Sequence, residues 1–432
     1  MAEAESAAKE SIVHKPQHTI AVMHASVGSG HRVAAEAIKQ ALEHINQTCT
    51  KQLDHFPGRM NIELFDVLDF ARIPISGDKT ATMFIGPTRP IYDLTWRYWL
   101  TGRLLWSGGT AWSRVMFPAF TRWVRETKPV AIITTHITAA NIAVGARMIT
   151  RQRYPVICVP TDYEVEGMWP HRYADLFCVG TESMAETLRA RKVPEERIMV
   201  TGIPARNDFR AGYNRTEVRR EWNIPQNKKI ALVLAGANLP TPYKLFREIL
   251  RSAMPRLKAM NNLHLIFLTG KDCAYADELK ATFAIENMQN VIALGYTTDV
   301  ARLMAASDFC ICKPGGLTVT ECLCSETPML LVGRAYGQEK SNARLLTSLG
   351  AALHVQTSRE LVEAIRYMTT LESALDAMRS TEDYLRKPDA AIEIAMASLQ
   401  AAFATVDDDT LTRWRKRPFM SFYWGHQPAH TR

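Results

Sequence analysis

The first half of the chain alternates short apolar runs with longer stretches in which apolar residues recur every three or four positions. The short runs have the length of buried parallel strands, and the amphipathic stretches have the length of helices. A repeated strand–helix–strand series predicts a parallel, doubly wound sheet. The predicted strands are residues 19–24, 62–67, 130–134, 156–159 and 176–179, and the predicted helices include residues 32–44 and 139–151.

A second series of the same kind begins near residue 230, after a polar stretch that breaks the pattern. Its predicted strands are residues 230–234, 263–268, 291–294, 309–311 and 329–332. The chain is therefore predicted to be an α/β protein with two doubly wound domains. The expected divisions are a disordered start (1–17), a first domain (18–205), a connection (206–228), a second domain (229–375), a helix (376–402) and a basic, aromatic tail (403–432).

The strongest candidate for binding chemistry is the turn after the predicted strand at residues 309–311, where Gly315 and Gly316 precede a helix predicted over residues 318–325. Bare N–H groups and the positive end of a helix dipole attract anions at such a turn. Glycine also lets the backbone approach a diphosphate closely. Thr318 is predicted to cap this helix and to bond a phosphate oxygen. The turn therefore predicts a diphosphate site.

Polar residues after this turn extend the predicted site to a nucleotide-sugar that is bound without a metal. Glu321, expected on the first turn of the helix, is placed to accept from both ribose hydroxyls. Gln338, Glu339 and Asn342 are expected to hold sugar hydroxyls. Gly236 closes another strand-to-loop turn and is a further candidate for the phosphates.

Four motifs together resemble those of the monogalactosyldiacylglycerol synthase and processive diacylglycerol glucosyltransferase family. They also resemble, more distantly, the murein transferase that adds N-acetylglucosamine to a lipid-linked intermediate. The motifs are the glycine loop (28–37), residues 160–163 with Trp169, residues 201–204 and the turn (313–321). The resemblance implies a GT-B fold: two Rossmann-like domains that face a cleft, with the carboxy-terminal helix returning to the first domain.

The resemblance also implies an activity, namely inverting transfer of a hexose from a UDP-sugar to diacylglycerol or a glycosyl-diacylglycerol. On the acceptor side it implies roles for Gly28, Gly30, His31 and Asp162. His31 is the leading candidate for the base, because a neutral imidazole acts near neutral pH; binding of an acceptor headgroup is its alternative role. For Asp162 the alternative is the capping of a turn.

The chain departs from the family at two acceptor-side positions. Ser26 stands where the family often has an aspartate, and Glu166 stands where it commonly has a histidine. Glu166 is a second candidate for the base if burial raises its pKa, and a solvated loop acid otherwise. His171 is a weaker candidate.

The segment from residue 79 to residue 125 is rich in tryptophan and arginine and carries Asp93 as its one acid. Tryptophan and arginine suit the headgroup level of an anionic bilayer. We expect Trp96, Trp99, Arg103 and Trp106 to contact the acceptor or the membrane. The alternative is a helical insertion with buried tryptophans. The expected location is peripheral, on the cytoplasmic face of the inner or plasma membrane.

Composition and motifs limit which partners and cofactors are expected. The formal charge is +8 and the pI about 9.0, but no zinc-finger, RNP-type or helix-turn-helix pattern is present, so nucleic acid is not an expected partner. No apolar run reaches the roughly 18 residues of a spanning helix, and the polar start lacks a signal-peptide core. The eight cysteines lack a zinc-type C-x-x-C pattern, and four of them, Cys158, Cys178, Cys310 and Cys312, are expected to be small buried hydrophobes. We expect no metal and no cofactor beyond the UDP-sugar co-substrate.

Several alternatives stay open from the sequence. Glucose and galactose are not distinguished, and neither are single and processive transfer. Other functions are transfer to a different lipid-linked acceptor, epimerisation of a UDP-sugar, and a catalytically inactive module that binds nucleotide-sugar or lipid. The changes at Ser26 and Glu166 motivate the inactive module.

Overall fold

The computed structural model describes residues 18–26, 29–48, 60–73, 113–236, 243–335 and 337–404, together with Thr410 and Arg413. Two six-stranded parallel sheets organise these residues. The strands are β1 (His18–His24), β2 (Met60–Asp66), β3 (Ala131–Thr134), β4 (Val156–Cys158), β5 (Leu176–Val179), β6 (Ile198–Val200), β7 (Lys229–Leu234), β8 (Leu263–Leu268), β9 (Val291–Leu294), β10 (Phe309–Cys312), β11 (Met329–Val332) and β12 (Ala352–Val355).

Helices connect the strands within each sheet, as the parallel arrangement requires. Among the described residues they are α1 (Ser29–Thr48), α2 (Pro118–Thr127), α3 (Ile137–Thr150), α4 (Glu182–Ala190), α5 (Arg215–Glu221), α6 (Lys244–Lys258), α7 (Cys273–Ile285), α8 (Val300–Ala306), α9 (Gly316–Cys324), α10 (Gln338–Leu349), α11 (Ser358–Thr370), α12 (Glu372–Leu385) and α13 (Ala390–Phe403). None of these helices is both long enough and apolar enough to cross a bilayer.

Both sheets are buried on both faces, which explains why their strands are nearly continuous apolar runs. In the first sheet, α2, α3 and α4 cover one face, and α1 covers the other together with α13. In the second sheet, α6, α7, α11 and α12 cover one face, and α8, α9 and α10 cover the other. α13 thus follows the second domain in the chain but packs on the first.

Two strands of the described residues were not predicted from the sequence, and both are edge strands. β6 ends the first sheet and β12 ends the second. Met199 in β6 is exposed, and His354 interrupts the apolar run of β12. An edge strand needs less apolar surface than a central strand, so its sequence carries a weaker signal.

The stretch expected to connect the domains, residues 206–228, contains a 3₁₀ turn at Asn207–Arg210 and the helix α5. Arg219 of α5 ties the helix to the second domain. Its guanidinium donates to the carboxylate of Asp308 at 2.8 Å and to the carbonyl oxygen of Ala306 at 2.8 Å.

The strand orders place a switch point in each sheet. The order is β2-β1-β3-β4-β5-β6 in the first sheet and β12-β11-β10-β7-β8-β9 in the second. Chain direction across the sheet therefore reverses between β1 and β3 and between β7 and β10. Ligands of open α/β sheets bind beyond the carboxyl ends of the strands at such points.

Candidate active site

The loops that leave these two switch points meet between the domains. From the first domain come the start of α1, the residues after β3 and the residues after β4. From the second come the turn between β10 and α9 and the start of α10. The cavity between them has a volume of 20 Å³, which is room for about one water molecule. It is lined by His31, His136, Ile137, Pro160, Thr161, Asp162, Glu164, Glu166, Trp169 and Gln338.

The imidazole of His31 is held in one tautomer. Its Nδ1 lies 3.0 Å from the carbonyl oxygen of Thr135, just after β3, and 2.8 Å from Oγ1 of Thr161. A carbonyl oxygen only accepts, so Nδ1 carries the proton in the neutral ring. The lone pair is then on Nε2, which makes His31 a competent proton acceptor.

The surroundings of His31 also keep the ring neutral. Burial lowers its pKa below the usual 6.5, an effect that the nearby Asp162 carboxylate and the hydrogen bond to Thr135 oppose in part. His136 lies edge-on to His31, with ring centroids 4.7 Å apart. Burial lowers the pKa of His136 well below its usual value too, so this ring adds a neutral neighbour.

Asp162 belongs to the first domain, and its side chain lies at the amino end of α9 in the second domain. Its Oδ1 accepts from Nδ2 of Asn342 at 2.9 Å, and the carboxylate also accepts from the backbone N–H of Gly316. Burial raises the pKa of Asp162, and these hydrogen bonds oppose the rise. The carboxylate therefore occupies part of the anion-binding position that the glycine turn was predicted to offer to a diphosphate.

Glu166 is a buried acid, 8% exposed, and not a solvated loop residue. Its Oε2 accepts from Nε1 of Trp169 at 2.8 Å, and its Oε1 accepts from Nε2 of Gln338 at 3.0 Å. Burial, together with the charge of Asp162, raises its pKa to about 8. At neutral pH the carboxyl is mostly protonated, which makes it a proton donor more readily than a base.

His171, the weaker candidate for the base, does not reach the cavity. Its ring is buried and stacks on Phe177, with centroids 5.5 Å apart. Its Nε2 lies 3.1 Å from a guanidinium nitrogen of Arg191. Burial and this cation lower its pKa well below the usual value, which indicates a structural role.

The turn between β10 and α9 differs from the prediction in two details. Gly315 is the residue before the helix and α9 begins at Gly316, so Thr318 lies inside the first turn and does not cap. Glu321 lies on the second turn, not the first, because the helix begins two residues earlier than predicted. It is partly buried, with Nε of Arg206 4.0 Å from its Oε1. Burial raises the pKa of Glu321 to about 7, against the opposing effect of Arg206.

Other predicted donor residues are engaged by the protein itself. Oε1 of Glu339 lies 2.9 Å from Nζ of Lys313. Asn342 is fully buried, and its amide bonds Asp162, the carbonyl oxygen of Pro314 and the N–H of Tyr163. In this arrangement Asn342 joins the two domains, and its contact with a sugar remains a prediction.

Gly236, after β7, lies where packing leaves no room for a side chain. A Cβ at this position would lie 1.8 Å from the carbonyl oxygen of Thr269. Close approach of two strand ends therefore explains this glycine, and its contact with phosphate remains a prediction.

Several contacts between the domains were missed by the sequence analysis. The hydroxyl of Tyr163 lies 3.0 Å from Oγ1 of Thr320, and the hydroxyl of Ser341 donates to the carboxylate of Glu164. A larger cavity of 640 Å³ lies beside the first and shares Glu164 in its lining. The motif at residues 160–163 was recognised, but nothing in one sequence indicated which residues of the second domain it would touch. Thr135 and His136 were also missed, although their position just after a buried strand was a usable signal.

Some predicted positions lie outside the described residues. They are Gly28, Trp96, Trp99, Arg103 and Trp106 and most of the tail. Gly30 is described, in the first turn of α1, where a Cβ would be 3.6 Å from Cβ of Leu317 in the second domain. From the tail, Arg413 donates to Asp175 of the first domain at 2.5 Å.

The two doubly wound domains, with a glycine turn of one facing a histidine and two acids of the other, define a GT-B glycosyltransferase fold. Comparison with known proteins finds a separate family match for each domain. Residues 31–205 match the family model described as monogalactosyldiacylglycerol (MGDG) synthase, and residues 233–397 match that of the glycosyltransferase family 28 C-terminal domain. The resemblance predicted from the motifs is thereby confirmed in both halves of the chain.

Similar proteins carry related names. The chain is 28% identical over 235 residues to a processive diacylglycerol beta-glucosyltransferase of Bacillus subtilis (strain 168), which covers 54% of this chain and 59% of that protein. It is 30% identical over 207 residues to the protein of the same name from Bacillus cereus (strain G9842), covering 48% and 52%. The chain thus spans little more than half the length of these relatives.

Solved structures share the fold. MurG of Acinetobacter baumannii superposes with a TM-score of 0.56 at 17% identity, over 89% of this chain and 99% of that chain. HepE of Anabaena, solved in complex with UDP-glucose, gives a TM-score of 0.52 at 14% identity, over 88% and 98%. The predicted GT-B arrangement is confirmed.

Replacement of Glu321 by alanine is expected to lower the affinity for UDP by about 10- to 100-fold, because hydrogen bonds from ribose hydroxyls to a charged acceptor would be lost. Isothermal titration with UDP measures the change. The matched control is Glu326→Ala, an acid just beyond the end of α9 that pairs with Arg386 on the surface. Equal affinities for Glu321→Ala and the unchanged protein would remove Glu321 from the donor site.

Proposed function

We propose that this protein is a membrane-associated inverting glycosyltransferase that moves glucose or galactose from a UDP-sugar to diacylglycerol or to a glycosyl-diacylglycerol. Glycolipid synthesis is its role in this proposal. The observation that carries it is the meeting of the β10–α9 turn with the neutral His31 of the other domain. The names of the relatives from Bacillus subtilis and Bacillus cereus support diacylglycerol as the acceptor.

In the proposed reaction, Nε2 of His31 takes the proton of the acceptor hydroxyl, since Nδ1 already donates to Thr135. The acceptor oxygen attacks the anomeric carbon, and the bond from that carbon to the diphosphate oxygen breaks on the opposite face. The leaving UDP carries the charge, which the N–H groups at the start of α9 stabilise. Binding of the diphosphate there requires the side chain of Asp162 to turn away from the N–H of Gly316, while the backbone of residues 161–162 keeps its place against α9.

The reaction also requires the domains to part, because the cavity that contains His31 holds about one water molecule in this arrangement. Donor and acceptor enter the open cleft, and closure then brings the acceptor hydroxyl to the donor. Exclusion of water at closure favours transfer to the lipid over hydrolysis of the UDP-sugar.

The test is incubation of the purified protein with radiolabelled UDP-glucose and, separately, UDP-galactose on liposomes of diacylglycerol and anionic phospholipid. Label in the organic phase that migrates as a glycolipid would support the proposal and identify the sugar. Binding of UDP with no organic-phase label from either donor would reject it, in favour of another acceptor or an inactive binding module. The inactive module is an alternative because Ser26 and Glu166 replace the residues that the family has on the acceptor side.

Transfer is expected to continue in the presence of a chelator, because the charge on the leaving diphosphate is assigned to backbone N–H groups and a helix dipole. Initial rates with and without excess EDTA, on the same liposomes, should agree within about twofold. Complete loss of activity in EDTA, restored by added Mg²⁺ or Mn²⁺, would contradict a metal-free mechanism.

We further propose that the protein binds the cytoplasmic face of the inner or plasma membrane through its tryptophan- and arginine-rich segment. Replacement of Trp96, Trp99 and Trp106 by serine is expected to weaken binding to anionic liposomes by at least about tenfold, because three aromatic rings leave the interface. Liposome co-sedimentation measures the loss, and titration with UDP is the control. A joint loss of liposome and UDP binding would instead indicate tryptophans that are needed for folding.

A further inference from the structure

Three thiols meet directly below the proposed donor turn. Cys310 and Cys312 lie on the same face of β10, and Cys322 lies on α9, which packs across that face. Their Sγ atoms all lie within 4.8 Å of one another. All three cysteines are free thiols, and all are 0% exposed. The sequence predicted small buried hydrophobes at Cys310 and Cys312, and the fold brings Cys322 of a second element beside them.

This spacing suits three bonds to one shared atom. Bonds of about 2.3 Å from sulfur to a thiophilic ion place three sulfurs about 4 Å apart around a planar centre and about 3.4 Å apart around a pyramidal one. Small rotations of the cysteine side chains are enough to reach either separation. The two elements that carry the thiols are also rigid parts of the fold, since β10 is a central strand and α9 is packed on it.

The number of ligands argues against zinc. Among the described residues, no fourth histidine, cysteine, aspartate or glutamate joins the group of three. Structural zinc almost always takes four protein ligands. Thiolate ligands also favour soft ions over hard ones. The group is therefore suited to a soft, three-coordinate centre.

The net charge of the bound centre distinguishes between the candidate ions. The thiols lie in an apolar core with Val319, Leu323 and Met329. A net charge in such surroundings is costly. Zn²⁺ or Cu⁺ on three thiolates leaves a net negative charge, whereas trivalent arsenic on three thiolates is neutral. Arsenous acid, As(OH)₃, reacts with three thiols to give As(SR)₃ and three water molecules. Three As–S bonds replace three As–O bonds, each hydroxide leaves with a thiol proton, and no electron is transferred.

We propose that Cys310, Cys312 and Cys322 form a three-coordinate binding site for trivalent thiophilic metalloids, of which arsenic is the probe. The site adjoins Lys313, the first residue of the turn between β10 and α9. It is independent of the proposed transferase activity, because the thiols belong to the core of the second domain. Access to the buried thiols requires local opening of α9, so binding is expected to be slow in the folded protein and fast during refolding.

The full-length protein, reduced with a phosphine instead of a thiol, is incubated with sodium arsenite either folded or during refolding from denaturant. Gel filtration then removes free arsenite, and elemental mass spectrometry counts the arsenic that remains. We expect one arsenic per chain, with three sulfur neighbours by X-ray absorption. Cys322→Ala should retain at least about tenfold less, since a chelate of three bonds becomes one of two.

The matched control is Cys324→Ala, which removes a buried thiol of the same helix that is not in the group. It should bind arsenic as the unchanged protein does. Circular dichroism verifies that each variant is folded, and Cys312→Ser provides a second substitution that keeps the side-chain size. No arsenic after refolding, equal retention by the unchanged protein and Cys322→Ala, or stoichiometric zinc in place of arsenic would each overturn the proposal.

Discussion

Replacement of His31 by alanine is expected to lower kcat by about 10²- to 10⁴-fold, the usual contribution of a general base. The affinity for UDP should stay within about twofold, because His31 belongs to the acceptor side of the cleft. The hydrogen bond from Nδ1 to Thr135 fixes the ring with Nε2 available, so alanine removes a base that is already oriented. Steady-state transfer to diacylglycerol liposomes and titration with UDP measure the two quantities.

The pH dependence distinguishes His31 from Glu166 as the base. A base acts when deprotonated, and burial places the pKa of His31 below 6.5. With His31 as the base, kcat/KM therefore rises through a pH below 6.5 and is level above it. The pKa of Glu166 is raised to about 8, so a base at this position would give a rise through about pH 8. In that case Glu166→Gln, and not His31→Ala, would be the inactive variant.

The central strands were predictable because burial on both faces leaves a continuous apolar run. β10, for example, is four residues, all buried, and its sequence contains no polar side chain apart from thiols. The edge strand β6 has no such run, because one of its three residues is exposed. Boundaries of helices were less accurate for a related reason. α9 begins at Gly316, and a glycine gives no helical signal of its own.

Positions in the candidate site were predictable where a motif lies just after a strand, as at Gly315 and His31. Partners across the cleft were not, because sequence spacing carries no information on which loops of two separate sheets meet. Asn342 illustrates the difference. Its place in a polar helix start suggested a sugar ligand, whereas the fold buries its amide against Asp162 and Pro314. Glu166 illustrates it too, since its raised pKa depends on burial that its neighbours in sequence do not reveal.

Replacement of Gly316 by alanine is expected to lower kcat/KM by on the order of 100-fold, because the added methyl group prevents the two domains from closing fully. A Cβ on Gly316 would lie 2.1 Å from the carbonyl oxygen of Thr161 and 3.1 Å from Cα of Asp162, both backbone atoms of the other domain. These distances are far below van der Waals contact, so closure must stop short. The substitution keeps the N–H of residue 316, and alanine stabilises the first turn of α9 more than glycine does.

Gly315→Ala is the matched control, since a Cβ there meets only Oγ1 of Thr318, at 3.9 Å. Both variants alter the same turn by one methyl group, but only Gly316→Ala places that group against the first domain. Transfer kinetics on liposomes should therefore separate them, while thermal unfolding and UDP titration show both to be folded and able to bind nucleotide. Equal kcat/KM for Gly316→Ala and the unchanged protein would mean that catalysis does not require the contact between α9 and residues 161–162. Equal losses in both variants would place the defect in the turn itself, at the diphosphate, and not in closure.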